Sequence, residues 1–223
     1  MILNKNFSID FGSNEFKRRL KILLKSKESS KFEKKEKYNF DDKENKKREQ
    51  IEAVKDICSI ANSPPVGNFS EGYIFLGISD SGAIKGIPKN RYKEVDFIDL
   101  IEKYVSPEIK IEYAPIKIKS KYVGVIYIPA SLNKPHLIKK DMIWKNNRGN
   151  TELFAQRGIC FTRHSSKVVH ALKEDFDEIY DERKELEQGD KVGKRIEKEV
   201  KPTISDEEIE KLLKKIAESP ENN

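Results

Sequence analysis

The sequence predicts an α+β fold, with helices packed on one mixed, mainly antiparallel sheet. Tyr73 to Ile78 is apolar at nearly every position, which is typical of a strand buried on both faces. "IKIEYAPIKIKSKYVGVIYIPA" predicts two strands joined by a turn at Ser120-Lys121. Apolar residues at helical spacing predict three packed helices, over residues 45–62, 94–105 and 165–187.

The first 27 residues are predicted to be a basic arm and an amphipathic helix. Its apolar residues are spaced by three and four after a cap at Ser13 or Asn14. The opposite face carries Lys17, Arg18, Lys21 and Lys25. This face is predicted to bind a phosphate backbone, and the alternative is an ordinary solvated helix face.

An edge strand is predicted in "KFEKKEKYNF". Phe32, Tyr38 and Phe40 fall on one side at period two, and Glu33, Lys35 and Lys37 fall on the other. The helix that follows ends at "NSPPVGN", because proline and glycine both oppose its continuation.

The second half of the chain is predicted to contain one more strand and several helical segments. "MIWKNN" predicts a strand, and "RGNTELFA" a helix that starts at Asn150 or Thr151. Ser165 opens a long helix, after which "LEQGDKVGKRIEKEVKP" is a linker-like break. Ser205 and Glu208 have capping-box spacing for a short terminal helix. The predicted divisions are thus an arm and helix (1–27), a domain (28–187), and a charged linker with a terminal helix (188–223).

The charge is unevenly distributed. The net charge is +6, but residues from Ser165 onward hold 12 Lys/Arg against 17 Asp/Glu. A basic body suggests an anionic partner, nucleic acid first, although lysine is also the commonest surface residue here. Two distant cysteines and three unclustered histidines show no metal-ligand spacing. No apolar run approaches the roughly 18 residues of a membrane span, and no signal-peptide pattern is present, so a cytoplasmic location without membrane attachment is expected.

Five motifs occur in order and together resemble the AlbA-like domain of the Schlafen family, over about residues 28–160. They are "ESSKFEKK" (28–35), "ICSIANS" (57–63), "GYIFLGISDSGAIKGI" (72–87), "VGVIYIPASLNKPH" (123–136) and "NNRGNTELFA" (146–155). This domain also occurs in prokaryotic proteins described as transcriptional regulators or as helicase-related. Other members are described only as nucleic-acid- or ATP-binding. Here the glycine-rich stretch lacks the Gly-Lys-Ser/Thr ending of a P-loop, so the sequence gives no support for ATP hydrolysis.

The resemblance implies a metal site. Some Schlafen proteins cleave structured RNA such as transfer RNA with three carboxylates and a divalent metal ion. Glu28 and Glu33 match the first two carboxylates, but Ser79 stands at the usual third position and the acid comes one residue later, at Asp80. The resemblance therefore implies that Glu28, Glu33 and Asp80 hold Mg²⁺ or Mn²⁺.

Residue chemistry is compatible with such a site. Phosphodiester cleavage needs oxygen ligands for the metal ion, and Lys35, on the strand face of Glu33, would stabilise the transition state. The alternative is that a Glu-x4-Glu spacing arises by chance in a chain rich in Lys and Glu. The Asp-Ser-Gly sequence after the buried strand is also an ordinary turn.

Three further features have both a binding and a structural interpretation. Trp144 could stack on a base while Lys145 and Arg148 hold phosphates, or it belongs to the core. Lys37 is a further candidate contact to nucleic acid. His136 is a candidate general base or RNA contact, but a lone histidine is more often a packing residue.

The preferred prediction is a protein that binds nucleic acid, RNA ahead of DNA, with metal-dependent endoribonuclease activity as a narrower hypothesis. The alternative is a non-catalytic module that binds DNA or a nucleotide, or an interaction subunit whose terminal helix binds a protein partner.

Overall fold

The computed structural model describes residues 9–67, 69–146 and 148–199, with side chains as far as Gly189. Residues 5–185 form one compact unit. A second unit comprises residues 1–4 and 186–223, of which the described part is the helical stretch 186–199. The predicted terminal helix at Ser205 and Glu208 lies outside the described residues. The prediction that this helix binds a protein partner concerns the same residues.

Four helices and ten strands make up the described chain. The helices are α1 (Asn14–Lys25), α2 (Lys46–Asn62), α3 (Glu94–Tyr104) and α4 (Lys173–Glu199). The strands are β1 (Phe32–Lys35), β2 (Gly72–Leu76), β3 (Val105–Ser106), β4 (Glu112–Ile118), β5 (Lys121–Ile128), β6 (Leu137–Ile138), β7 (Met142–Lys145), β8 (Thr151–Ala155), β9 (Phe161–His164) and β10 (Lys167–His170). No helix in this described part is long and apolar enough to cross a membrane.

The main sheet has the order β1-β2-β5-β4. β1 is parallel to β2 and pairs Phe32 with Tyr73, whereas the other two pairings are antiparallel. Three two-stranded pairs, β3–β6, β7–β8 and β9–β10, complete the described β structure. The prediction of a mixed, mainly antiparallel α+β fold is therefore confirmed.

The sheet is covered on both faces, which explains why the central strand β2 is apolar at consecutive positions. Tyr73 and Phe75 lie with α1 in one core, called here the α1-side core. Ile74 and Leu76 lie with α2 and α3 in the other, the α2-side core. Successive side chains of a strand point to opposite faces, so a strand between two helical layers has no polar face.

The predicted edge strand is shorter than its pattern suggested. β1 ends at Lys35, and Phe32 packs in the α1-side core, whereas Tyr38 and Phe40 pack in the α2-side core. The prediction that these three aromatic residues share one face is therefore wrong, because the chain leaves the strand before reaching Tyr38.

The predicted helix start at Asn150 or Thr151 is also wrong, because Thr151 begins β8, which pairs with β7. The Asn146 side chain accepts hydrogen bonds from the backbone N–H groups of Arg148 (3.0 Å) and Asn150 (2.9 Å), and so reverses the chain. A polar side chain that bonds the backbone in this way favours a turn over a helix.

The predicted helix 165–187 begins eight residues later than expected, at Lys173. Ser165 has a positive φ of 58° and lies in the turn between β9 and β10. Val168 and Val169 pair with β9, as suits β-branched residues. Once formed, α4 continues to Glu199, through most of the predicted linker.

Candidate functional site

Glu33 and Lys35 project from β1 into the α2 side of the sheet, on the same strand face as predicted. The Lys35 ammonium lies 3.5 Å from Glu33 Oε1 and 3.2 Å from Oδ2 of Asp56, a buried residue of α2. Lys35 thus lies between the carboxylates of Glu33 and Asp56, which are 23 positions apart in the sequence. The side chain of Lys35 is 29% exposed, so the group reaches the surface there.

Tyr38 and Arg163 complete this arrangement. The Tyr38 hydroxyl donates to Asp56 Oδ2 at 2.7 Å. Arg163, on β9, pairs through Nη2 with Glu33 Oε2 and donates to the carbonyl of Ser166 at 2.7 Å. We call these five side chains, Glu33, Lys35, Tyr38, Asp56 and Arg163, the Glu33 cluster.

The electrostatics of the Glu33 cluster follow from burial and pairing. Burial raises the pKa of Glu33, and Asp56 adds to this, although Arg163 opposes it. For Lys35, burial lowers the pKa, but the carboxylates of Asp56 and Glu33 outweigh burial and the net shift is upward. Burial and the neighbouring Asp56 raise the pKa of Tyr38, which keeps its proton. Two cations face two carboxylates, so the formal charges of the ionised cluster balance.

The predicted metal ligands lie in different settings. Glu28 is exposed, and its Oε1 accepts a hydrogen bond from the backbone N–H of Lys34 at 3.1 Å. Asp80 is exposed in the turn that follows β2, whereas Glu33 is buried in its cluster. Within the described ranges, no group of three or more His, Cys, Asp or Glu residues is arranged to hold a metal ion.

Among the described residues, Glu28, Glu33 and Asp80 are thus not gathered into one three-carboxylate group. The acid that the fold places beside Glu33 is Asp56, and the ammonium of Lys35 lies against both carboxylates. Sequence reasoning missed Asp56 and Arg163. The signals were an acid inside the apolar pattern of α2 and an arginine that directly follows Cys160, Phe161 and Thr162.

The outer face of α1 presents the predicted basic residues. Lys17, Arg18 and Lys21 are all exposed, and none makes an ion pair within the part of the chain that the structure describes. Arg19 differs, because it pairs with Glu71 at 2.7 Å and lies 4.9 Å from the centre of the Phe69 ring. Ser13 caps the helix by accepting from the N–H of Phe16, as predicted.

Trp144 is half-buried against the α2-side core. Its indole N–H donates to the carbonyl of Glu44 at 3.2 Å, and the Arg48 guanidinium lies 5.7 Å from its ring centre. Lys145 and Arg148 are exposed on the β7–β8 hairpin, and Lys37 is exposed after β1. The structure thus adds Arg48 to the cations near Trp144, a residue that the sequence pattern did not single out.

His136 is fully buried and does not face solvent. Its Nδ1 lies 2.8 Å from the carbonyl of Pro107 and its Nε2 lies 2.9 Å from the Ser131 hydroxyl. Burial lowers the pKa of His136 to about 4, so the ring is neutral near pH 7. These contacts match the packing alternative, because both ring nitrogens are already occupied by the protein.

Comparison with known proteins gives one family and distant structural likenesses. No curated protein matches this sequence. The DIP2311 protein of Corynebacterium diphtheriae is 12% identical with a TM-score of 0.45, over 76% of this chain and 29% of that one. The N-terminal domain of an ATP-dependent DNA helicase RecG-related protein of Nitrosomonas europaea is 16% identical with a TM-score of 0.36, over 69% of this chain and 90% of that one. This chain thus spans less than a third of the DIP2311 protein.

A family model matches a continuous stretch of this chain. The family described as "Schlafen, AlbA_2" matches residues 28–171, from the strand that carries Glu33 to the end of the β9–β10 hairpin that carries Arg163. This match takes in the whole main sheet with α2 and α3 and covers well over half of the sequence. The chain belongs to the Schlafen AlbA_2 family.

Proposed function

We propose that this protein binds nucleic acid, with RNA ahead of DNA, through the basic outer face of α1. The observation that carries the proposal is that Lys17, Arg18 and Lys21 stand exposed and without ion pairs in the described part of the chain. Membership of the Schlafen AlbA_2 family supports a role with nucleic acid. RNA is placed first because some Schlafen proteins cleave structured RNA.

Phosphate contacts carry the binding in this proposal. Lysine and arginine bind the backbone without reading sequence, and each neutralised phosphate releases counterions. The indole of Trp144 is held by Glu44 and Arg48, so base stacking on this ring is a minor contribution. Lys37, Lys145 and Arg148, which are exposed on other segments, are proposed as additional phosphate contacts.

Binding is tested by fluorescence anisotropy with transfer RNA, duplex RNA and duplex DNA over a range of salt concentrations. K17Q/K21Q is expected to reduce the slope of log K against log[salt] by about 1.5, since each phosphate contact contributes roughly 0.7–0.9. K103Q/K140Q is the matched control, because these exposed lysines lie beside Tyr104 of α3, across the sheet from α1. Equal slopes for both variants and the unmodified protein would remove α1 as the binding face.

A metal-dependent endoribonuclease that uses Glu28, Glu33, Asp80 and Lys35 with Mg²⁺ or Mn²⁺ is the narrower candidate, and the family resemblance favours it. Its test is incubation with transfer RNA and Mg²⁺ or Mn²⁺, with EDTA as control. D80N is the informative variant, since Asp80 is exposed and its substitution leaves the core intact. Cleavage that EDTA and D80N both abolish would establish the nuclease, whereas tight binding without cleavage would leave binding as the function.

A further inference from the structure

Two lysines are buried in the part of the protein that Glu182 of α4 enters, and each influences the other electrostatically. Lys31 is 1% exposed and Lys134 is 0% exposed. The Lys31 ammonium donates to the carbonyl of Ile60 at 3.0 Å, and the Lys134 ammonium is paired with the carboxylate of Glu182. Buried ammonium groups are rare and need a counter-charge, because leaving water is costly for an ion.

The counter-charge comes from outside the family domain. Lys31 and Lys134 lie within residues 28–171, but Glu182 lies on α4, beyond that match. Glu71 also acts on Lys31, but its carboxylate is paired with Arg19 at 2.7 Å. The two buried lysines therefore belong to the family domain, whereas the carboxylate that pairs with Lys134 belongs to α4.

The contact of α4 with these lysines is narrow. Among its residues with described side chains, only Ile179 and Glu182 are buried. Arg183, the next residue, donates to the carbonyl of Lys134 at 3.5 Å. Glu182 is thus inserted by one turn of a helix whose other described side chains, apart from Ile179, are exposed or half-buried.

Positive charge is in excess at this place. Burial lowers the pKa of Lys31 to about 7, and the positive charge of Lys134 adds a smaller effect in the same direction. His136 acts with the same sign only when protonated, and burial keeps its ring neutral. In the described part of the chain Lys31 makes no ion pair, and the Glu182 carboxylate is paired with Lys134. An anion with more than one charge could pair with both lysines and hold Lys31 protonated, so it would match this place better than Glu182 does.

We propose that Lys31 and Lys134 form a phosphate-binding site, which α4 closes by placing the Glu182 carboxylate where the phosphate group would bind. Lysine binds phosphate as a point charge, and carboxylate and phosphate oxygens accept the same hydrogen bonds. The ligand class is a phosphate group, either free or at the end of an oligonucleotide. This site is separate from the α1 face and does not depend on it.

Chemical rescue of the Glu182→Gln variant tests the site. The melting temperature of the full chain is measured in inorganic phosphate and in chloride at equal ionic strength. Phosphate is expected to raise the melting temperature of E182Q by roughly 5–10 °C at about a hundredfold excess over its Kd, and the shift should grow with the logarithm of the phosphate concentration. The unmodified protein and E178Q, which alters an exposed acid of the same helix, are expected to shift much less.

The double variant K134M/E182Q separates the site from a general effect of phosphate. It removes both charges, and no phosphate-specific shift is expected. Folding of E182Q in phosphate but not in chloride also supports the proposal. Equal melting temperatures of E182Q in the two salts, or failure to fold in both, would overturn it.

Two oligonucleotides of the same sequence, one with a 5′-phosphate and one with a 5′-hydroxyl end, distinguish the two sources of the phosphate group. Stabilisation of E182Q by the phosphorylated form alone indicates an oligonucleotide end. Stabilisation by inorganic phosphate alone indicates a small ligand. If neither source stabilises E182Q, the lysine pair is not a phosphate site.

Discussion

Arg163 and Glu33 form a buried ion pair although 130 residues separate them in the chain. Glu33 lies on the edge strand β1 of the main sheet, and Arg163 lies on β9 of a separate hairpin. The pair therefore ties the β9–β10 hairpin to the sheet edge. It also fixes one carboxylate oxygen of Glu33, while Lys35 lies near the other.

Loss of Arg163 is expected to be strongly destabilising. R163M leaves Glu33 buried with one of its two cations missing, and breaking a buried pair in this way costs about 3–5 kcal/mol in unfolding free energy. Urea denaturation of R163M and the unmodified protein measures the difference.

The control for this prediction is R163M/E33Q, which removes one charge of each sign and leaves Lys35 paired with Asp56 at 3.2 Å. This double variant is expected to recover much of the lost stability. An R163M protein within about 0.5 kcal/mol of the parent, the range of ordinary surface substitutions, would show that the pair is unimportant.

The Glu33 cluster shows what the sequence could and could not predict. The same-face relation of Glu33 and Lys35 follows from the two-residue period of a strand, and it was predicted. Asp56 was not singled out, because an acid within an apolar helical pattern gives no sign of which strand residue it meets. The partner of a buried charge is set by tertiary packing, which the spacing of residues along the chain does not record.

The errors in secondary structure have a related cause. Val168, Leu172, Phe176 and Ile179 have helical spacing, so one helix was predicted where a hairpin precedes α4. The turn at Ser165 requires a positive φ, which the residue type does not indicate. By contrast, α1, α2, α3 and the β4–β5 hairpin have long unambiguous patterns, and these elements were predicted correctly.

Lys31 is expected to make stability depend on pH in a defined window. Its pKa is lowered to about 7 in the folded protein, against about 10.4 for an unfolded lysine. Between these values the unfolded chain binds more protons, so the contribution of Lys31 to stability rises with pH from about 7 to about 10. The size of the effect is on the order of a few kcal/mol.

The measurement is urea denaturation of the parent and K31M at intervals across this window. The difference between the two proteins isolates Lys31, because the buried cysteines and tyrosines titrate equally in both. The unfolding free energy of the parent should rise relative to that of K31M as the pH rises. A difference that stays constant with pH would mean that Lys31 is charged in the folded state throughout.

Trp144 is expected to contribute to stability, whereas Lys145 and Arg148 beside it are expected to contribute to RNA binding. W144A removes a half-buried ring and its bond to Glu44, and should lower the unfolding free energy by roughly 2–3 kcal/mol. K145Q/R148Q should leave stability unchanged and weaken RNA binding, since both side chains are exposed. Thermal melts and anisotropy titrations on the same samples make the comparison. Normal stability of W144A with lost RNA affinity would instead identify the ring as a stacking platform.

Gly72 is expected to tolerate no side chain, because α2 approaches the start of β2 closely there. A Cβ at this position would lie 2.1 Å from Cγ2 of Ile60 and 3.3 Å from the carbonyl of Lys31. G72A should therefore cost about 1–3 kcal/mol or more through overpacking. Because the nearest atom belongs to one side chain, G72A/I60A should cost less than the sum of its single variants, which denaturation of all four proteins measures. Additive costs would show that the backbone of Lys31, rather than Ile60, sets the limit at this position.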